Sequence, residues 1–270
     1  VLLSVCINFV LIRLAPGNPI TILAGTDNPN PEMIATLTAK YGLDKSILEQ
    51  FGMFLVNLSK GDLGFSYISN EPVVKIIGDK LIPTLLLTLT SLVISASVGI
   101  ALGVRAARSH GSKLDRFLCS FTYVFDSIPS FWLGLMLILL LSSTLKLFPT
   151  SGMINLRENY TGFRYILDVM YHLFLPVLTL VIIQFPNYFR ITRSSIMQNM
   201  SEEYVQTFKA TGMSEKRIFN KYVLKNALLP TLTVIGMSVA FLFSGAALVE
   251  TVFGWTGMGR LLISAIGCGD

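Results

Sequence analysis

Residues 81–104 read LIPTLLLTLTSLVISASVGIALGV, a run without a single charged side chain. A membrane-crossing helix needs about 20 mostly apolar residues, so this run predicts a complete transmembrane span. Similar runs at 117–145, 172–189 and 227–249 predict three further spans. Residues 1–14 predict the outer half of a first span that begins before residue 1. The predicted fold class is therefore an all-α, polytopic bundle of membrane helices with five spans.

The composition supports membrane integration over a soluble fold. Hydrophobic residues make up 52% of the chain and charged residues 14%, whereas soluble domains carry about 25% charged residues. The few cysteines and histidines lie far apart in the sequence and suggest neither a disulfide framework nor a metal site. We therefore predict no catalytic residue, no metal site and no cofactor bound by this chain.

The distribution of charge predicts the orientation of the spans, because cationic loops stay on the cytoplasmic side. The loop after 81–104 carries four basic residues against Asp115, and the loop after 172–189 carries seven against three acids. Residues 15–80 instead hold five lysines and seven acids. The amino terminus is therefore predicted to be cytoplasmic and residues 15–80 extracytoplasmic. The net charge of +5 is explained by this topology without nucleic acid.

Three regions follow from this topology. They are a partial first span at 1–14, an extracytoplasmic segment at 15–80 with predicted helices at 31–40 and 46–58, and a transmembrane core at 81–270. With five spans and a cytoplasmic start, residue 270 would lie outside. We therefore expect a sixth span that this sequence does not contain.

The segment 201–230 reads SEEYVQTFKATGMSEKRIFNKYVLKNALLP, between the fourth and fifth spans. Ser201 is predicted to cap a first short helix, Gly212 to end it, and Ser214 to cap a second. Each helix has one apolar stripe, so the pair forms a small amphipathic knob whose apolar side needs a partner. From periodicity alone, the partner is equally well the inner lipid leaflet or another protein.

Family resemblance favours a protein. The segment resembles the EAA loop of the permeases of ATP-binding-cassette importers, in the dipeptide, oligopeptide and nickel permease family. The matching residues keep the spacing of that loop; they are Tyr204, Val205, Thr207, Ala210, Gly212, Met213, Ser214, Glu215, Ile218, Leu224, Lys225, Asn226, Ala227, Leu228, Leu229 and Pro230. Phe208 departs from the pattern, since the family usually has a small alanine there.

The resemblance extends over nearly the whole chain. RLAPGNP at 13–19, GDLGFS at 61–66, IPSFWLG at 128–134 and VETVFGWTGMGRL at 249–261 resemble other motifs of the family, with Thr256 in place of its usual proline. This implies the type I importer permease fold and the first of the two permeases of such a system. It also implies a bacterial or archaeal plasma-membrane location.

The resemblance further implies the partners. They are a second, homologous permease, two ATPase subunits that bind ATP and magnesium, an extracytoplasmic substrate-binding protein, and membrane lipid. The chain contains no G-x-x-x-x-G-K-[ST] sequence for cradling phosphates, so the expected function is that of a non-catalytic permease subunit for peptides, nickel or metal chelates. The residues expected to contact an ATPase subunit are Tyr204, Gln206, Thr207, Ala210, Gly212, Met213, Ser214 and Glu215.

Several residues are candidates for the translocation path. Asp126 is predicted about 14 Å inside the third span, at 1.5 Å per residue. A charge at that depth faces either a water-filled path or a partner on a neighbouring helix. Pro129, Pro176 and Pro186 are predicted to interrupt the third and fourth spans. Pro129, Phe131 and Trp132 are candidates for a gate, although a simple kink at Pro129 explains the proline equally well. Glu250 and the glycines after it are expected to form a re-entrant turn beside the path.

Two other classes remain as alternatives. An ion-coupled secondary transporter would also have broken helices and an intramembrane acid, but it would be expected to carry internal repeats. A membrane-embedded enzyme would be expected to carry HExxH or GxSxG, and neither motif occurs in the sequence. Nothing in the sequence identifies the substrate.

Overall fold

The computed structural model describes residues 3, 5–7, 9–10, 44–66, 69, 71–158, 160–244 and 246–268. By its contacts the chain divides into two compact units, Val1–Lys80 with Leu261–Asp270, and Leu81–Arg260. The described residues of the predicted partial span 1–14 are helical. The rest of that span and the predicted helix at 31–40 lie outside the described residues.

In the first unit, helix α1 spans Ile47–Ser59, which confirms the helix predicted at 46–58. Ser46 and Glu49 form a capping box, in which the backbone N–H of Ser46 donates to Glu49 Oε2 at 3.0 Å. The hydrogen bond from the Ser46 hydroxyl to the same oxygen, at 2.9 Å, lowers the pKa of Glu49. Strands β1, Phe65–Ser66, and β2, Glu71–Pro72, then pair antiparallel.

Three helices in the described part of the chain are long and apolar enough to cross a membrane. They are α2, Val73–Arg108; α5, Phe163–Met200; and α7, Glu215–Ser244, which contains a π-helical turn at Phe219–Val223. A fourth span is obtained if α3, Lys113–Asp126, and α4, Ser130–Thr144, count as one. The all-α class is confirmed, and α2 and α5 contain the predicted spans 81–104 and 172–189.

The span predicted at 117–145 is not one continuous helix, because α3 and α4 meet at an angle of 96°; the interruption expected at Pro129 is confirmed. Pro129 lies at the break with φ −63° and ψ 136°, in extended conformation. Its ring disfavours helical backbone at the residue before it, and it has no N–H to continue the hydrogen-bond ladder. The break also places Asp126 at the end of α3 rather than in the middle of a continuous helix.

Two other boundaries differ from prediction. Pro176 and Pro186 were expected to interrupt the fourth span, but α5 continues through both, as membrane helices do where neighbours satisfy the freed carbonyls. The fifth span, predicted to reach residue 249, ends at Ser244. A separate helix α8, Ala247–Val252, and helix α9, Met258–Cys268, follow it.

The second unit is held together by packing around α5. Leu87 of α2, Leu175 and Leu180 of α5, and Phe253 and Trp255 after α8 form one buried cluster. The indole N–H of Trp255 donates to the Pro83 carbonyl at 2.9 Å. This packing holds α2, α5 and the segment after α7 together, and the candidate functional residues lie on or next to these elements.

Candidate coupling knob and translocation path

The knob consists of α6, Glu203–Ala210, and the first turns of α7, joined at Gly212. Gly212 has φ +78°, a left-handed conformation that glycine adopts without steric cost. The N–H of Gly212 donates to the Lys209 carbonyl at 3.0 Å, and that of Met213 to the Phe208 carbonyl at 3.2 Å. Gly212 therefore ends the first helix, and Ser214 occupies the cap position of the second, as predicted.

The predicted cap of the first helix is wrong by one residue. Ser201 ends α5 instead, and its hydroxyl donates to the Gln198 carbonyl at 2.7 Å. Glu202 occupies the N-cap position of α6, but its side chain forms no capping hydrogen bond. α5 runs further than the apolar pattern suggested, so Ser201 is used at its carboxyl end.

The apolar side of the knob packs on the chain's own membrane helices. Val205 of α6 and Ile218 of α7 share a buried cluster with Ala107 of α2 and Ile196 of α5. The expectation that this side needs an external partner is therefore wrong. Sequence periodicity identified the apolar stripe, but it carries no information about which surface covers it.

Phe208, the departure from the family pattern, lies within this packing. Its ring centroid is 4.3 Å from that of Tyr222 and 6.1 Å from that of Tyr204. The Tyr204 hydroxyl lies 3.4 Å from Asn199 Oδ1 of α5. The large side chain at 208 therefore ties the two knob helices together.

The opposite side of the knob is polar and exposed. Of the eight residues expected to contact an ATPase subunit, Tyr204 and Met213 are partly buried in the cluster. The other six are exposed: Gln206, Thr207, Ala210, Gly212, Ser214 and Glu215. Lys209 and Glu215 lie 4.0 Å apart on this side, a separation at which an exposed pair contributes little to stability. The knob thus has one anchored apolar face and one open polar face.

Arg108, in the last turn of α2, adds a polar tie between the spans and the knob. Its guanidinium donates to Asn220 Oδ1 and lies 4.4 Å from the ring centroid of Phe219. Cation–π contacts of this kind stabilise by roughly 0.5–1 kcal/mol at exposed sites. Movement of the knob is therefore coupled to α2 as well as to α5.

Asp126 forms an ion pair with Arg190 of α5, with 2.6 Å between Oδ2 and Nη1. Both side chains remain partly exposed. The geometry matches the alternative in which the acid is paired with a neighbouring helix. Pro129, Phe131 and Trp132, at the break and the start of α4, are exposed. Their role in a gate, and that of Asp126 in a path, stays a prediction.

Glu250 does not face an open path in this structure, because it is completely buried. Its Oε1 accepts from the Thr84 hydroxyl at 3.0 Å, and its Oε2 accepts from the Arg260 N–H at 3.0 Å. Thr84 Oγ1 in turn accepts from the Met258 N–H at 2.7 Å. A Cβ at Gly257 would lie 2.6 Å from Glu250 Cδ. Glu250 therefore fastens the segment after α8 to α2, and its place beside a translocation path stays a prediction.

Sequence reasoning missed a second ion pair at the predicted cytoplasmic side. Asp115 was read only as a loop charge, yet it is buried and accepts from Arg193 Nε at 2.7 Å and Arg193 Nη2 at 2.8 Å. The Gly111 N–H donates to the same carboxylate at 3.0 Å. Ser112 followed three residues later by Asp115 signals a helix start, but no pattern links that acid to residue 193.

The chain is similar to known transport proteins over most of its length. Residues 99–270 match the model of the family described as "Binding-protein-dependent transport system inner membrane component". The chain is 37% identical over 274 residues to the di/tripeptide transport system permease protein DppB of Pseudomonas aeruginosa strain UCBPP-PA14, covering 96% of this chain and 82% of that protein.

Two further relatives give the same result. The chain is 36% identical over 277 residues to the dipeptide transport system permease protein DppB of Escherichia coli K12, covering 96% of this chain and 82% of that protein. It is 34% identical over 265 residues to a putative peptide transport system permease protein of Brucella abortus strain 2308, covering 98% of this chain and 82% of that protein.

Proposed function

This chain belongs to the family of binding-protein-dependent transport system inner membrane components, and we propose that it forms half of the membrane path of a peptide importer. Within that family it is a permease subunit of an ATP-binding-cassette importer. Relatives described as di/tripeptide, dipeptide and peptide permeases favour short peptides over nickel or metal chelates as the substrate.

In the proposed complex, this chain has four kinds of partner: a second homologous permease, two ATPase subunits, an external substrate-binding protein and the surrounding lipid. ATP and magnesium bind to the ATPase subunits, since this chain has no phosphate-binding loop sequence. The amino terminus lies in the cytoplasm, and residues 15–80 form the platform that receives the binding protein. The excess of lysine and arginine after α2 and α5 supports this orientation.

The knob is the proposed contact with an ATPase subunit. The observation that carries this proposal is its one-sided burial: the apolar face is anchored on Ala107 and Ile196 of the spans, while the polar face stays open. A partner that moves the open face pulls α2 and α5 with it through the buried face. ATP-driven closure of the ATPase subunits then moves these helices as rigid bodies, which alternates access to the path.

Changes on the open face test the proposal without touching the anchored face. We expect Ala210→Trp to leave the chain inserted and assembled with the second permease but to abolish most peptide uptake, because an exposed small residue becomes an obstacle to docking. Gly212→Pro is also expected to abolish uptake, but by distorting the joint between the two knob helices, because proline fixes φ near −65° where the knob requires +78°. Uptake by the reconstituted complex and ATP hydrolysis stimulated by the loaded binding protein are measured together.

Leu114→Trp provides the control, since it introduces the same side chain at an exposed position in the first turn of α3, beside the other predicted cytoplasmic loop. Its uptake is expected to equal that of the unaltered complex. Normal uptake by Ala210→Trp would contradict the coupling role. Uptake by the unaltered complex without ATP would contradict the whole proposal and favour a secondary transporter.

A further inference from the structure

A cavity of about 370 Å³ opens between α2, α5 and α7. Among the residues that line it are Thr88 of α2, Gln184, Asn187 and Tyr188 of α5, and Ser238 of α7. Thr88 lies well inside the uncharged run 81–104, so the cavity lies at the level of the membrane interior.

The polar groups of the cavity are only partly paired with one another. The Tyr188 hydroxyl donates to Ser238 Oγ at 3.0 Å, and the Ser95 hydroxyl lies 3.3 Å from Gln184 Oε1. Across the residues that the structure describes, neither the Gln184 amide nitrogen nor the Asn187 side-chain amide forms a hydrogen bond. Asn187 is also exposed.

These amides would be costly if they faced lipid. An unsatisfied polar group in hydrocarbon costs several kcal/mol, so amides at membrane depth face water, a solute or another polar surface rather than lipid. A second groove of about 320 Å³, on the other side of α2, lies at the same level. Apart from Thr90, its lining is apolar, including Ile94, Leu173 and Phe174. The first cavity is also lined by the apolar residues Leu92, Ile183, Phe241, Leu242 and Ala246. It differs from the groove in its two amides, and we call it the polar cavity for that reason.

We propose that the polar cavity is a transit site that binds short peptides through their backbone amides; this inference rests on the proposed peptide-importer function. Each peptide group offers one N–H and one C=O, and the carboxamide of Asn187 provides both an acceptor and two donors. None of the described residues that line the cavity is charged, so these residues suit a neutral hydrogen-bonding group better than a bare metal ion. Its volume falls within the range of roughly 300–1,000 Å³ common for ligand sites.

The test uses the complete complex, with both permeases, the ATPase subunits and the binding protein, in lipid vesicles that take up trialanine. We expect Asn187→Leu to lower the uptake of trialanine at limiting concentration about fivefold, the factor that corresponds to the loss of one hydrogen bond. Leucine has the same number of side-chain heavy atoms as asparagine, branched at the same carbon, and it replaces the polar groups with larger methyl groups. Thr90→Val, which removes a hydroxyl from the apolar groove, is expected to leave uptake unchanged.

Labelling with a water-soluble maleimide gives a second measurement that does not depend on activity. In a chain whose natural cysteines are replaced by serine, Asn187→Cys is expected to react and to be protected by trialanine. Thr90→Cys is expected not to react. Both results follow if water and peptide reach the polar cavity and lipid covers the apolar groove.

The outcomes separate this inference from the function on which it rests. If the unaltered complex takes up trialanine and Asn187→Leu takes it up equally well, the transit site is refuted while the importer function stands. If Asn187→Leu instead fails to co-purify with the second permease, the cavity is part of the subunit interface, and the transit site is again refuted. If the unaltered complex takes up no peptide, the proposed function fails first.

Discussion

Asp115 and Arg193 show how one pair of side chains orders the predicted cytoplasmic end of this bundle. The carboxylate is buried and accepts two hydrogen bonds from the guanidinium. His110 Nδ1 lies 3.4 Å from the same carboxylate and 3.3 Å from Arg193 Nη2. A buried ion pair holds its geometry because separating the partners would leave a charge without compensation.

Removal of the Arg193 side chain should therefore destabilise the fold more than the partial exposure of that side chain suggests. We expect Arg193→Ala to lower the free energy of unfolding by about 3 kcal/mol, the cost of leaving a buried carboxylate without its partner. Denaturant titration of the purified chain in detergent, followed by circular dichroism, measures this value. Arg116→Ala removes an exposed arginine that follows Asp115 in α3 and should change the free energy of unfolding by less than about 0.5 kcal/mol. Equal midpoints for the two variants would contradict the structural role.

At the scale of helices, α2 and α5 approach so closely that two positions of α2 must be glycine. A Cβ at Gly99 would lie 2.6 Å from Tyr188 Cβ and 2.8 Å from the Phe185 carbonyl oxygen. A Cβ at Gly103 would lie 2.9 Å from the Phe189 carbonyl oxygen. Small residues on one face allow helix backbones to approach in this way in membranes.

Gly99→Ala should therefore push the two helices apart. We expect it to cost roughly 1–3 kcal/mol of stability, because backbone atoms of α5 cannot rotate away as a side chain can. Gly236→Ala is the matched control, since a Cβ there meets no atom within 4 Å. The measurement is the temperature at which each variant aggregates on heating in detergent. The same temperature for both variants would show that α2 and α5 are less closely packed at Gly99 than the structure indicates.

The helices also show what the sequence could predict. Runs of apolar residues identified α2 and α5, and the pattern around Gly212 identified both helices of the knob, because these signals are local. Pro129 breaks a span while Pro176 and Pro186 do not, since the outcome depends on which neighbours satisfy the freed backbone. The burial of Glu250 and the surface beneath the knob depend on contacts distant in sequence.

At the scale of the molecule, the knob, α2 and α5 form one mechanical connection. Val205 and Ile218 anchor the knob on the spans, and the Arg108 guanidinium ties it to the end of α2. The cavity that we assign to peptides lies between the same helices and α7. In the proposed mechanism, a displacement of the open face of the knob would reach the cavity through these packed helices.

The most direct test of this account places a photoreactive side chain on the knob of the assembled complex. With the probe at Gln206, on the open face, we predict a cross-link to an ATPase subunit whose yield changes between the ATP-bound and nucleotide-free states. With the probe at Val205, on the anchored face, we predict cross-links within this chain only. A Gln206 probe that reacts solely with lipid, or with a reagent confined to the outside of the cell, while peptide uptake continues, would contradict the account.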